Sequence, residues 1–187
     1  MDIKQYLDST YLKTAEQAGV TDEENILIAQ ELIQEAIEEN FKLIMIRPNR
    51  VALAKAMILK AKSTVQVGTV IDFPEGKSEV EEKLKEAVQA IHDGADDLDF
   101  VCNYEAFKKG DIDLVKKEVL QCTQLGLANK KVVKWIIEVA ALADKEIIQL
   151  SSLIKNVIVS NFEQELFSRV FVKSSTGFYK TQNDLPN

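Results

Sequence analysis

Val132-Val-Lys-Trp-Ile-Ile-Glu-Val139 is apolar at six of its eight positions and reads as a β-strand buried on both faces. Strands of that kind belong to parallel sheets, because the crossover helices cover the sheet. The same unit recurs along the chain at roughly thirty-residue spacing, as βα units do. Toward the N-terminus, Tyr6 to Leu12 is a short first strand, and Thr21-Asp-Glu-Glu24 is a capping box opening a helix to about Asn40. Phe41 to Arg47 predicts a strand stopped at Pro48, with Asn49 capping a helix that reaches about Ala61. Val65 to Phe73 predicts the next strand, followed by a capping box at Ser78-Glu-Val-Glu81 and a helix to about Asp93. Asp97 to Asn103 reads as a strand, and Ile112 to Leu125 as a helix stopped by Gly126. Beyond the opening segment come a helix from Asp144 to about Val159 and a strand from Val170 to Ser174.

Strands separated by helices imply an α/β fold. The count is six strands, whereas a (β/α)8 barrel needs eight and about 250 residues, so a doubly wound open sheet competes with a barrel. No Gly-x-Gly-x-x-Gly follows any strand, which argues against a dinucleotide site. A length of 187 residues predicts a single domain, with a polar tail over residues 178–187. A net charge of -7 argues against a nucleic-acid partner. No apolar run approaches membrane-spanning length, and the N-terminus lacks a signal-peptide core, so no membrane partner is expected. Two cysteines, Cys102 and Cys122, are too few for a disulfide framework and point to the reducing cytoplasm. Both read as packing residues, as does Trp135, and His92 reads as a helix-end residue favouring the dipole.

Three strands carry charges where apolar residues would be cheaper: Asp99, the pair Lys134 and Glu138, and Lys173. Alternation predicts Lys134 and Glu138 on one face of their strand and Trp135 on the other. Unpaired and buried, each charge would cost several kcal/mol, so they should pair or shift their pKa values. One alternative is a structural ion-pair network, with strand-end lysines reaching solvent. The other is a reactive amine: burial and a neighbouring ammonium both favour neutral lysine, which attacks an aldehyde to form a Schiff base. A carboxylate such as Asp99 would then move protons. The Ser174-Ser-Thr-Gly177 turn after Lys173 could aim N–H groups and hydroxyls at a phosphate.

Phe171-Val-Lys-Ser-Ser-Thr-Gly-Phe178 closely resembles the Schiff-base segment of the deoxyribose-phosphate aldolases. Gly68-Thr-Val-Ile-Asp-Phe-Pro-Glu-Gly76, Asp93-Gly-Ala-Asp-Asp-Leu-Asp-Phe-Val101 and Val133-Lys-Trp-Ile-Ile-Glu138 resemble other segments of that family. Tyr6-Leu-Asp-Ser-Thr-Tyr-Leu-Lys13 resembles its opening motif, and the five segments run in the family's order. The resemblance implies a (β/α)8 TIM-barrel-type fold with about the first six βα units present. It implies reversible cleavage of 2-deoxy-D-ribose 5-phosphate to acetaldehyde and D-glyceraldehyde 3-phosphate, with no metal or other cofactor. It implies Lys173 as the Schiff-base amine, Asp99 as proton donor and acceptor, Lys134 and Asp8 in the catalytic network, and Ser175, Thr176 and Gly177 at the substrate phosphate.

The chain also departs from the family pattern. The family carries a second active-site lysine and further phosphate-binding glycines and serines after the Schiff-base strand, and the residues after Gly177 offer neither. Ser9 stands where histidine is common, and Asp72 where a small or neutral residue is usual. The expectations that follow are a C-terminally incomplete barrel, reduced stability, self-association or homodimerisation through open sheet edges, and little or no turnover in isolation. The alternatives are an inactive phosphosugar-binding or assembly protein on the same scaffold, and a Schiff-base lyase with another aldehyde substrate.

Overall fold

The alternation of apolar runs and amphipathic stretches becomes a series of strands and helices in the computed structural model, which describes residues 2–180. In chain order these are β1 (Asp8–Tyr11), α1 (Ala15–Ala18), α2 (Asp22–Glu38), β2 (Leu43–Ile46), α3 (Val51–Ala61), β3 (Gln66–Ile71) and α4 (Val80–His92). There follow β4 (Asp97–Val101), α5 (Tyr104–Lys108), α6 (Ile112–Ala128), β5 (Val132–Ile136), α7 (Asp144–Asn161) and β6 (Val170–Lys173). The strands form one parallel sheet in the order β1-β2-β3-β4-β5-β6. Among the described residues that order never reverses and holds no switch point of the doubly wound kind, so the topology is that of the barrel type.

The backbone divides into two compact units, one of residues up to Val70 with Ala90–Asp97, the other of Ile71–Gln89 with residues from Leu98 onward. In the first, β2 is buried at all four positions and pairs in parallel with β1 (Asp8 opposite Leu43) and with β3 (Leu43 opposite Gln66). Thr21 caps α2 as its sequence predicts: its hydroxyl accepts from the Glu24 N–H while Glu24 accepts from the Thr21 N–H. The buried face of α2 is Asn25, Ala29, Ile33 and Ala36, at helical spacing. Asn49 does not cap α3. It lies inside a 3-10 turn, Pro48–Arg50, because proline at the first position starts a tight turn before the α-helix can begin.

In the second unit β5 pairs in parallel with β6, Val133 opposite Val170 and Ile136 opposite Lys173. Trp135 is fully buried, stacks on Phe100 at 5.2 Å between centroids, and donates from Nε1 to the Thr123 hydroxyl at 3.0 Å. Helix α6 does not stop at Gly126 but runs on to Ala128. The glycine marks a close approach, since a Cβ there would run into Cγ2 of Val133 on β5. Two short helices were not expected. For α1 the signal was present, as Thr14 and Gln17 form a capping box of the same pattern as Thr21 and Glu24. Residues 181–187 of the expected polar tail lie outside the described residues, and its first two residues, Phe178 and Tyr179, make ring contacts with Phe73 and Tyr104.

Candidate active site

Asp99 sits in the middle of β4, where every position is buried, and its own exposure is zero. A carboxylate there needs compensating charge. It receives two amines: Lys173 Nζ donates to Asp99 Oδ2 at 2.8 Å, and Lys134 Nζ lies 3.6 Å from Oδ1. Sheet register brings the amines together. Opposed residues of neighbouring strands point to the same face, and Lys134 and Ile136 share a face of β5. Pairing Ile136 with Lys173 therefore puts Lys173 on the face that carries Lys134. The Lys173 side chain is 31% exposed and that of Lys134 14%, so the first is the more accessible amine. The arrangement is an accessible amine hydrogen-bonded to a buried carboxylate, with a second cation on the carboxylate's other oxygen.

Glu138 departs from its expected place beside Lys134. Strand β5 ends at Ile136, and Glu138 follows with a φ of +51°. The backbone on either side of it continues toward the last strand, with Ile137 N–H donating to Lys173 C=O at 3.0 Å and Val139 N–H to Ser174 C=O at 2.9 Å. The buried Glu138 carboxylate accepts from the Ser175 hydroxyl at 3.0 Å, the Thr176 N–H at 3.0 Å and the Thr176 hydroxyl. The turn expected to offer its hydroxyls to a phosphate thus directs them at Glu138. Within the turn, Gly177 N–H donates to the Ser175 hydroxyl and Phe178 N–H to that of Thr176.

Phe178 then meets Phe73 edge-on at 5.0 Å, and Tyr179 meets Tyr104 at 6.4 Å. Burial, reinforced by Glu75 and Glu138, pushes the Tyr104 hydroxyl up to about 12. Asp8 lies in the first unit, exposed on β1 opposite Leu43. That unit also holds a cavity of about 430 Å³ at the ends of β1 and β2, with Tyr11, Lys13, Asn25, Arg47 and Arg50 in its lining.

One cluster escaped the sequence reading. Lys83 is fully buried on α4 and donates to Glu118 of α6 at 2.6 Å, to Val101 C=O at 2.8 Å and to Gly76 C=O at 3.0 Å. Asp72 Oδ2 lies 3.3 Å from the same amine, and Ser78 donates its N–H and hydroxyl to the Asp72 carboxylate. Ser78, expected as part of a capping box, therefore serves Asp72. Burial pulls the Lys83 amine down, but Glu118 and then Asp72 outweigh it and hold it above the ordinary lysine value. The overlooked signal was helical phase. Lys83 shares a face with Val80, Ala87 and Ala90, and Glu118 shares one with Val115, Val119 and Cys122.

No family model matches the chain. Curated relatives do. It is 37% identical over 178 residues to the deoxyribose-phosphate aldolase of Thermococcus gammatolerans, covering 95% of this chain and 71% of that protein. It is 35% identical over 178 residues to the deoxyribose-phosphate aldolase of Lactiplantibacillus plantarum, covering 95% and 74%. Among solved structures, an aldolase called QR15 superposes with a TM-score of 0.77 at 29% identity, over 95% of this chain and 70% of that one. The deoxyribose phosphate aldolase of Aeropyrum pernix, described as a unique tetramer, superposes at 0.75 and 26% identity over 95% and 66%.

Proposed function

The chain belongs to the deoxyribose-phosphate aldolase family of carbon–carbon lyases, and from that membership we propose that Lys173 forms a Schiff base with 2-deoxy-D-ribose 5-phosphate and cleaves it reversibly. The observation that carries this reading is the Lys173–Asp99 hydrogen bond of 2.8 Å, with Lys134 against the same carboxylate. The neutral Lys173 amine adds to the C1 carbonyl of the open-chain sugar, and loss of water leaves a protonated imine. Removal of the C3 hydroxyl proton breaks the C2–C3 bond. Its electrons move to the imine nitrogen, giving an enamine and releasing D-glyceraldehyde 3-phosphate. Protonation of the enamine at C2 and hydrolysis return the water, release acetaldehyde and free the amine. Asp99 is the proton donor and acceptor beside Lys173, and Lys134 holds its charge in place.

Asp8 we assign to the polar network of the same reaction. Because Glu138 already takes the side-chain donors of Ser175 and Thr176, those residues brace the turn behind Lys173. The Gly177 N–H is likewise engaged, by the Ser175 hydroxyl, so phosphate contact at Ser175, Thr176 and Gly177 requires those bonds to exchange for the ligand. Borohydride reduction in the presence of deoxyribose 5-phosphate tests the assignment. A covalent adduct mapped to Lys173 and absent from Lys173→Ala is expected. An adduct on another lysine overturns the assignment to Lys173, and no adduct at all leaves a phosphosugar-binding protein.

We also place association between copies at β6. It is the last strand of the sheet among the described residues, and Phe171 and Val172 on it are nearly half exposed. Sedimentation velocity should show dimers or larger species that Phe171→Lys with Val172→Lys dissociates; an unchanged distribution would exclude this edge. No helix among the described residues is long and apolar enough to cross a membrane. We place the protein in the cytoplasm, where the free, buried thiols of Cys102 and Cys122 stay reduced.

A further inference from the structure

The Schiff-base chemistry makes no use of Lys83, yet the fold buries it completely. An ammonium has three N–H donors. Those of Lys83 serve acceptors from three separate segments: Gly76 in the loop after β3, Val101 at the end of β4, and Glu118 on α6. Glu118 turns its other oxygen to the Asn103 N–H at 2.8 Å and the Cys102 thiol at 3.3 Å, so it grips the chain just past β4 a second time. Gly76 fits this contact closely. It has a φ of +68°, and a Cβ there would come within 2.6 Å of the Cys102 carbonyl oxygen.

Apolar side chains of similar volume often stabilise a core as well as a buried ion pair does. They cannot satisfy two buried carbonyls or fix three segments at one point. We propose that Lys83 is a positioning residue for Asp99, pinning β4 two residues beyond the carboxylate that Lys173 and Lys134 share. The geometry stands alone; its consequence for turnover rests on the Schiff-base role of Lys173. A displacement of about 1 Å at a reacting group can cost about 100-fold in rate, so a strand held at that spot is held where error matters most.

The test uses the full chain carrying Lys83→Met, and the double variant Lys83→Met with Glu118→Gln. The double variant removes the more deeply buried of the two carboxylate charges that lose Lys83, keeps an acceptor for Asn103 and leaves Asp72 its two bonds from Ser78, so it remains folded if the single one does not. Formaldehyde–borohydride methylation, read residue by residue by mass spectrometry, needs no aldolase activity. Lys173 labelling should change by about threefold or more against exposed Lys60, with Lys55 in the other unit unchanged, as expected for a positional role. Unchanged Lys173 labelling overturns the proposal, and so does an equal rise at Lys55, which would mark general loosening.

Trapping with deoxyribose 5-phosphate gives the second readout. Its maximal rate should fall about tenfold or more while the half-saturating concentration moves less than about threefold. A folded variant that traps at the unaltered maximal rate refutes positioning. If the unaltered chain forms no adduct while Lys173 labelling still responds to Lys83, the Schiff-base reading fails and the positioning role stands.

Discussion

Replacing Glu138 offers a direct measure of what holds the turn behind Lys173. The carboxylate is almost fully buried and accepts from the Ser175 hydroxyl, the Thr176 N–H and the Thr176 hydroxyl. Hydrogen bonds to a charged acceptor contribute about 1.5–3 kcal/mol each, against about 0.5–1.5 for neutral pairs. Glutamine can keep all three contacts, because its carbonyl oxygen serves Thr176 and the Ser175 hydroxyl can rotate to accept from its amide. Glu138→Gln therefore loses about 1 kcal/mol per bond. Relief of one buried charge offsets part of this, leaving a net loss of about 2 kcal/mol. Glu138→Ala strands the donors of buried Thr176 and opens a cavity, for a loss of about 4 kcal/mol. Glu138→Gly loses the same contacts but relieves the φ of +51°, recovering about 1 kcal/mol. Urea unfolding at constant m-value should rank the variants Gln, Gly, Ala from most to least stable, with faster hydrogen exchange at the Thr176 amide in each. A glutamine variant within about 0.5 kcal/mol of the unaltered chain, or glycine below alanine, would refute the bracing role.

Three further outcomes follow from the geometry. Asp99→Asn keeps the shape but cannot take the Lys173 proton, so borohydride trapping should slow about 100-fold; a loss under about threefold would remove Asp99 from proton transfer. Gly126→Ala gains about 1 kcal/mol of helix propensity but forces a methyl onto Val133, for a net loss of about 1 kcal/mol in thermal unfolding. Adding Val133→Ala should render the alanine at 126 favourable, and continued loss would show that the close approach is not the cause. Burial, and then Glu118, push the Cys122 thiol up to about 12 from its ordinary 9. The unfolded chain therefore ionises first: the stability is intact below pH 9 and declines as pH rises toward 12, by up to about 4 kcal/mol. The raised Lys83 value acts in the same direction above its ordinary 10.5. Cys122→Val should flatten the alkaline unfolding profile by about one proton, and an unaltered profile would refute the assignment.

Most of the candidate site was legible because charge inside an apolar strand is expensive. Asp99, Lys134 and Lys173 stand out against their neighbours, and alternation alone puts Trp135 on the face away from Lys134. Glu138 stood out as well, but its partner did not. Strand periodicity assumes the strand continues, and β5 ends two residues earlier, where a positive φ turns the carboxylate to the turn at 174–177. Gly126 was misread for a related reason. A glycine that ends a helix and one that admits a neighbouring strand look alike until the neighbour is present.

The α/β class, the strands, most of the helices, the cap at Thr21 and the charged residues worth attention are readable from the residues alone. These follow from periodicity, local hydrogen bonding and the cost of burying charge, all of which act over a few residues. The monotonic order of the strands, the union of Lys134 and Lys173 on one carboxylate, and the closure of Lys83 on Gly76, Val101 and Glu118 emerge once the chain is folded. Those contacts join residues from 7 to 74 positions apart. Strand register and helix placement bring them together, and no local pattern carries that information.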